Sequence, residues 1–138
     1  MARLGPWKNA YLEVNGVDIS DHVESLSLTV GAVTLPNDAM GDEYEYQRAG
    51  LLNWGVEATF YQDFAAAEVD ATLWPLYSGR QTFALIMRPD SGAIGTENPR
   101  WSGDVFISSY QPLAGSHGDN LMSPVTFSPA SDLVRTIA

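Results

Sequence analysis

His22 and His117 are the only side chains of this sequence whose ordinary pKa lies near neutrality, and there is no cysteine. Ser20-Asp21-His22 offers a nucleophile, a carboxylate and a base, the residue types of a hydrolytic triad. A triad is assembled across a fold, however, and three consecutive residues cannot converge on one reacting atom. His22 therefore reads as a turn residue, and His117, within Gly115-Ser116-His117-Gly118-Asp119, as a loop residue. With two distant histidines and no thiolate, a zinc site would need unusual help from carboxylates, and no metal is expected. Glu57 and Asp104 could be paired as in a glycosidase, but any acidic β-protein offers such pairs. There is no phosphate-binding Gly-Lys loop and no dinucleotide fingerprint. The expectation is a protein without catalysis or cofactor.

The densest chemistry lies in the stretch LPNDAMGDEYEYQR, residues 35–48, which carries Asp38, Asp42, Glu43 and Glu45 with Tyr44 and Tyr46. These carboxylates lack the alternating acidic positions around a central glycine that an EF-hand loop uses for calcium. Trp7, Trp54, Trp74 and Trp101 could form a sugar-stacking platform, as in a carbohydrate-binding module. Two of them stand at strand starts and one at a helix end, which favours core packing and subunit contact.

The elements that position these residues are mostly strands. Tyr11–Val14 and Val17–Ile19 flank Asn15-Gly16, the dipeptide suited to the positive φ angles of a type I′ turn. A bend or helical turn follows at Ile19–Ser25. In SLSLTV, Leu26, Leu28 and Val30 alternate with Ser25, Ser27 and Thr29, and in NWGVEATFYQD, Val56, Ala58 and Phe60 alternate with Glu57, Thr59 and Tyr61. Asp63 is placed as the N-cap of a helix through FAAAEVDATLW, with Ala66, Val69, Leu73 and Leu76 at helical spacing and an end near Trp74 set by Pro75. QTFALIMR, apolar on both faces, predicts a strand covered on both sides. RWSGDVFISSY and NLMSPVTFS are two more strands, and Pro124 requires an edge or a bulge in the second. About six strands and one helix predict a mainly β fold, an antiparallel β-sandwich or partly closed barrel with one flanking α-helix. One domain over 1–138 is expected, with a long inter-strand loop at 35–48 and a C-terminal tail at 129–138.

Composition narrows the function classes. Seven Lys and Arg stand against seventeen Asp and Glu, a net charge of −10; Lys8 is the only lysine, and arginines such as Arg48, Arg80, Arg88 and Arg100 are scattered. Stable nucleic-acid binding needs basic clusters and is not expected. Charged residues make up only 17%, against about 25% for an average domain, which fits either a polar Ser/Thr/Gly surface or one partly covered by a subunit interface. No signal-peptide run and no apolar stretch of spanning length is present, so a soluble product made in a cytoplasm is expected.

Three stretches in order resemble the tail tube proteins of long non-contractile-tailed bacteriophages. They are YLEVNGVDISDHVESLSL, RAGLLNWGVEATFYQDF with the helix and LWPLYSGRQTFALIMRP behind it, and NPRWSGDVFISSYQPLAGSHGDNLMSPVTFS. The C-terminal PASDLVRTIA departs from the pattern. The resemblance implies a sandwich subunit that forms hexameric rings, stacked into a tube around a channel through which DNA passes during ejection without stable binding. It implies a virion location after synthesis in the bacterial host cytoplasm, and a tape measure protein, a tail terminator and tail-tip proteins as partners. It also implies that the loop with Asp38, Asp42, Glu43, Tyr44, Glu45 and Tyr46 reaches an adjacent ring. Ser27, Thr29, Glu57 and Thr59, the polar faces of the flanking strands, are the candidates to face the channel. Related tail components such as terminators share the fold and stand as the alternative, with the carbohydrate-binding module as an alternative of another class.

Overall fold

The computed structural model describes residues 7–137; the terminal residues 1–6 and 138 of the expected domain lie outside it. Among the described residues eight strands are formed: β1 (Tyr11–Val14), β2 (Val17–Asp18), β3 (Val23–Pro36), β4 (Gln47–Tyr61), β5 (Phe83–Arg88), β6 (Arg100–Tyr110), β7 (Met122–Pro129) and β8 (Val134–Thr136). Among them too is one helix, α1 (Val69–Ser78), between β4 and β5. The strands make one antiparallel sheet in the order β2-β1-β5-β6-β7-β4-β3, with β8 paired to β6. Leu12 and Val14 of β1 share a single core cluster with Val56, Ala58 and Phe60 of β4, four pairings away, so the sheet curls over its own core. The mainly β, partly closed architecture with one flanking helix is the one the alternating patterns predict.

The first hairpin turns as its sequence requires. Asn15 and Gly16 both take positive φ, 50° and 83°, and Val14 pairs with Val17. Ser20–His22 then form a single 3-10 turn before β3. Leu26 pairs with Ala58 and Leu28 with Val56 toward the core, while Ser27 pairs with Glu57 on the opposite face.

Three local expectations are corrected. The helix begins at Val69 rather than after Asp63, because the Ala65 amide donates to Asp63 Oδ1 (2.9 Å) in a local turn and Ala67 sits at φ 62°, outside the helical region. It also runs through Pro75 to Ser78 instead of stopping at Trp74. A proline inside a helix costs about 3 kcal/mol, and the burial of Val69, Leu73 and Leu76 on one stripe offsets it. The third correction concerns β5, which is covered on one side only within the chain: Phe83, Leu85 and Met87 are buried, whereas Ala84 is exposed and Ile86 half-buried. Pro124 lies in a central strand, yet just past the last residue pair of the β6–β7 ladder, Tyr110 with Val125. Its missing amide therefore breaks no rung of that ladder.

The expected C-terminal tail is largely structured. After Pro129 the chain loops out and returns as β8, which continues along β6 through the pairs Ser102–Val134, Trp101–Arg135 and Arg100–Thr136. The indole of Trp54 sits over the interruption. Its Nε1 donates to the Ser131 carbonyl (2.9 Å), and it packs so tightly on β6 that a Cβ at Gly103 would come within 2.7 Å of the ring. No helix among the described residues is long and apolar enough to cross a membrane.

Candidate assembly surface

β3 and β4 are far longer than the core they cover. Their inner halves lie on the sheet, whereas Val30–Pro36 and Gln47–Asn53 project as a two-stranded arm. Pairing continues out to Leu35–Arg48 and Pro36–Gln47, so the inter-strand loop spans residues 37–46 rather than 35–48. Between Ala32–Leu52 and Thr34–Ala49 the register shifts by an extra residue on β4, a bulge that twists the arm. Gly50 sits at this bulge, where an added Cβ would meet the Val33 carbonyl at 3.1 Å.

The loop at the arm's tip is closed by local bonds. The Asn37 amide donates to the Tyr46 carbonyl (2.8 Å), and the Ala39 amide to Asp42 Oδ2 (2.7 Å), with Gly41 at φ 96°. Asp42 thus shapes the loop, while Asp38, Glu43, Tyr44, Glu45 and Tyr46 point into solvent. The arm behind them is apolar and uncovered: Leu51 and Leu52 are each 83% exposed and Val30 63%, and Val33, Met40, Tyr44 and Tyr46 are exposed as well. Below it, Val30, Leu52, Trp54, Pro129 and Leu133 line a groove of about 960 Å³. Large apolar side chains gathered on a projecting element, rather than scattered singly, mark an interaction surface. From sequence the ring-stacking contact is expected in the loop; the exposed apolar arm behind it is not legible there, because with neither face buried its residues follow no sustained alternation.

Ser27, Thr29, Glu57 and Thr59 fall on one face of the β3–β4 pair, the face opposite the core. Ser27 lies across from Glu57, Glu57 across from Thr126 on β7, and Thr29 across from Gly55. Ser27, Thr29 and Glu57 are exposed and Thr59 is half-buried. Neither β3 nor β7 carries a Lys or Arg, and the only one on β4 is Arg48, out on the arm.

The remaining chemistry-bearing residues have separate surroundings. Trp54 and Trp101 pack against the core, Trp74 is half exposed on α1 beside Tyr77, and Trp7 donates to the Pro89 carbonyl (2.9 Å). Asp104 is exposed on β6, where it lies beside Ala84 of β5 rather than Glu57. His117 is an exposed loop residue, as expected. His22 is different, for its ring nitrogens contact Asp21 Oδ1 and Asp63 Oδ2, both at 2.9 Å. Partial burial opposes its protonation, but the hydrogen bonds to Asp21 and Asp63 and the charges of Asp21 and Glu68 prevail and raise its pKa. Tyr110 Oη donates to Asp70 Oδ1 (2.7 Å) and accepts from Gln62 Nε2 (3.1 Å), tying α1 to the end of β6.

No family model and no curated protein matches the sequence. Solved structures do. The tail of an empty gene transfer agent particle superposes with a TM-score of 0.74 at 17% identity, over 98% of this chain and 99% of that one. The sheath/tube terminator of the extracellular contractile injection system PVC, in its extended state, gives 0.73 at 15% identity over 98% of each chain. The SPP1 tail tube gives 0.73 at 9% identity, over 94% of this chain and 76% of that one. At such identities the likeness is one of fold, and it extends from end to end: the chain has the fold these tail and tube proteins share.

Proposed function

We propose that the chain is a structural subunit of a phage-type tail tube, assembled as hexameric rings stacked around a channel for DNA. The observation that carries this reading is the uncovered β3–β4 arm, whose exposed Val30, Leu51 and Leu52 need a protein partner to leave water. The fold's likeness to tail and tube proteins supplies the partner: further copies of the same chain. The β3 edge and the β1–β2 edge lie at opposite ends of the sheet order. Their free backbone groups would be a pairing hazard in a monomer and become the joint between neighbours in a ring. The arm then lies on an adjacent ring, with Tyr44 and Tyr46 as anchors and the carboxylates of Asp38, Glu43 and Glu45 facing basic partners.

In this arrangement Ser27, Thr29, Glu57 and Thr59 face the channel. A polar wall without Lys or Arg offers a sliding polyanion no binding well. The role is mechanical and calls for no catalysis. The rest of the reading follows from the resemblance: synthesis in a bacterial cytoplasm, a place in the virion tail, and contact with a tape measure protein, a terminator and tail-tip proteins. Electron microscopy of the purified chain in negative stain tests it. Long tubes are the expected result. Single rings that never stack would assign the chain to the terminator role, which the likeness to the PVC terminator favours as the second reading. A monodisperse monomer at high concentration would refute both.

A further inference from the structure

The fold brings His22, Asp63 and Glu68 together from the 3-10 turn before β3 and from the segment that leads into α1. Nothing in the tube reading uses them. His22 Nε2 lies 2.9 Å from Asp63 Oδ2 and 3.5 Å from Glu68 Oε2, and the three ligand atoms all fall within 4.8 Å of one another. Ligand atoms held about 2.0–2.1 Å from one tetrahedral ion are roughly 3.3 Å apart. The two distances to Nε2 bracket that value.

The outer contacts fit the same geometry. Asp21 Oδ1 meets the other ring nitrogen, Nδ1, at 2.9 Å. Such a carboxylate–histidine contact can hold the ring proton on Nδ1 and so leave the Nε2 lone pair for an ion. Asp63 is likewise divided: Oδ1 accepts from the Ala65 amide (2.9 Å), which leaves Oδ2 directed at the ring. Nε2 and Asp63 Oδ2, 2.9 Å apart, share either a ring proton or, when the neutral imidazole carries its proton on Nδ1, a bound cation. The side chains of His22, Asp63 and Glu68 are 18%, 34% and 36% exposed, so the position is open on one side for a water ligand.

We propose that His22, Asp63 and Glu68 form a binding site for a divalent transition metal of the zinc class, with Asp21 as the positioning residue behind His22. One imidazole and two carboxylates suit such an ion better than calcium or magnesium, which prefer oxygen-only shells. Bound there, the ion clamps the β2–β3 turn to the 62–68 segment, including Ala67 at its left-handed φ of 62°.

The test is zinc titration of the full-length, chelator-treated chain at pH 7.5, followed by calorimetry and by the imidazole nitrogen resonances of His22. One zinc per chain is expected, with a shift at His22 Nε2. Asp21→Asn should weaken binding by about 10- to 100-fold. Glu68→Gln, which removes a ligand but no capping bond of α1, should weaken it at least as much, and His117→Gln should leave it unchanged. A His22 Nε2 resonance unmoved by zinc in the folded chain would overturn the proposal. So would a Glu68→Gln variant that binds zinc as the parent does, even if His22 variants fail to fold.

Discussion

Tyr110 shows how one side chain joins elements that the sequence separates. Its hydroxyl links Asp70 at the start of α1, Gln62 after β4 and its own strand β6. Burial pushes the phenol's pKa up to about 12; the hydrogen bond to Asp70 reinforces the shift and the one from Gln62 opposes it. The raised value means that the folded state holds this proton more tightly than the unfolded chain, whose tyrosine titrates near 10. The associated stability is therefore complete below pH 10 and is lost as the pH rises through about 12. Denaturant midpoints measured from pH 9 to 12 should fall with pH in the parent. In Tyr110→Phe the fall should be shallower, starting from a lower midpoint because two hydrogen bonds are gone. Equal slopes would show that other groups govern the alkaline limb.

The helix and the arm are elements of opposite kinds. α1 is held by burial: Leu73 is fully buried in the core cluster, so Leu73→Ala should destabilise the unassembled subunit by about 2 to 5 kcal/mol. A denaturation midpoint equal to the parent's would place the helix wrongly on the sheet. The arm is held by its own ladder and buries almost nothing within the chain. Replacing residues 37–46 with a two-residue Asn-Gly turn should leave the core intact, because such a turn closes an antiparallel ladder and the loop itself lies outside the core. That variant should give a parent-like circular dichroism spectrum and no elongated tubes, and tubes of normal length would exclude the arm's tip from ring stacking. The helix can thus be tested on the isolated chain, whereas the arm requires the assembly.

At the scale of the whole molecule, the single curled sheet separates an apolar inner face from a polar outer one. Glu57 lies between Ser27 and Thr126 on that outer face. Repulsion across a Debye length of about 8 Å at physiological salt is modest for one charge. In the proposed tube, with Glu57 facing the channel, it would repeat around every ring and along every stack. Glu57→Lys should leave assembled tubes intact, because the side chain is exposed and leaves no cavity, while each ring gains a circle of phosphate partners. DNA ejection should slow, and the slowing should weaken as salt is added. Ejection rates equal to the parent's at every salt concentration would remove electrostatics from the account.

The sequence by itself determined the class of fold, the Asn15-Gly16 turn, the two faces of β3 over Ser25–Thr29 and of β4 over Val56–Tyr61, and the buried stripe of Val69, Leu73 and Leu76. Each is written in a local period or a backbone preference and needs no distant partner. The order of the three motifs also pointed to the fold that tail and tube proteins share. Only the tertiary structure decided where the local signals competed. Helix start and end were set by Ala67's left-handed backbone and by burial of the stripe past Pro75, and both depend on the sheet beneath. The arm was hidden because it packs on no other part of the described chain, so no buried face imposed an alternation on Val30–Pro36 and Gln47–Asn53. His22 looked like an ordinary turn residue for a related reason: Asp63 and Glu68 lie more than forty positions away in sequence, and only the pairing of β3 with β4 brings them to its ring.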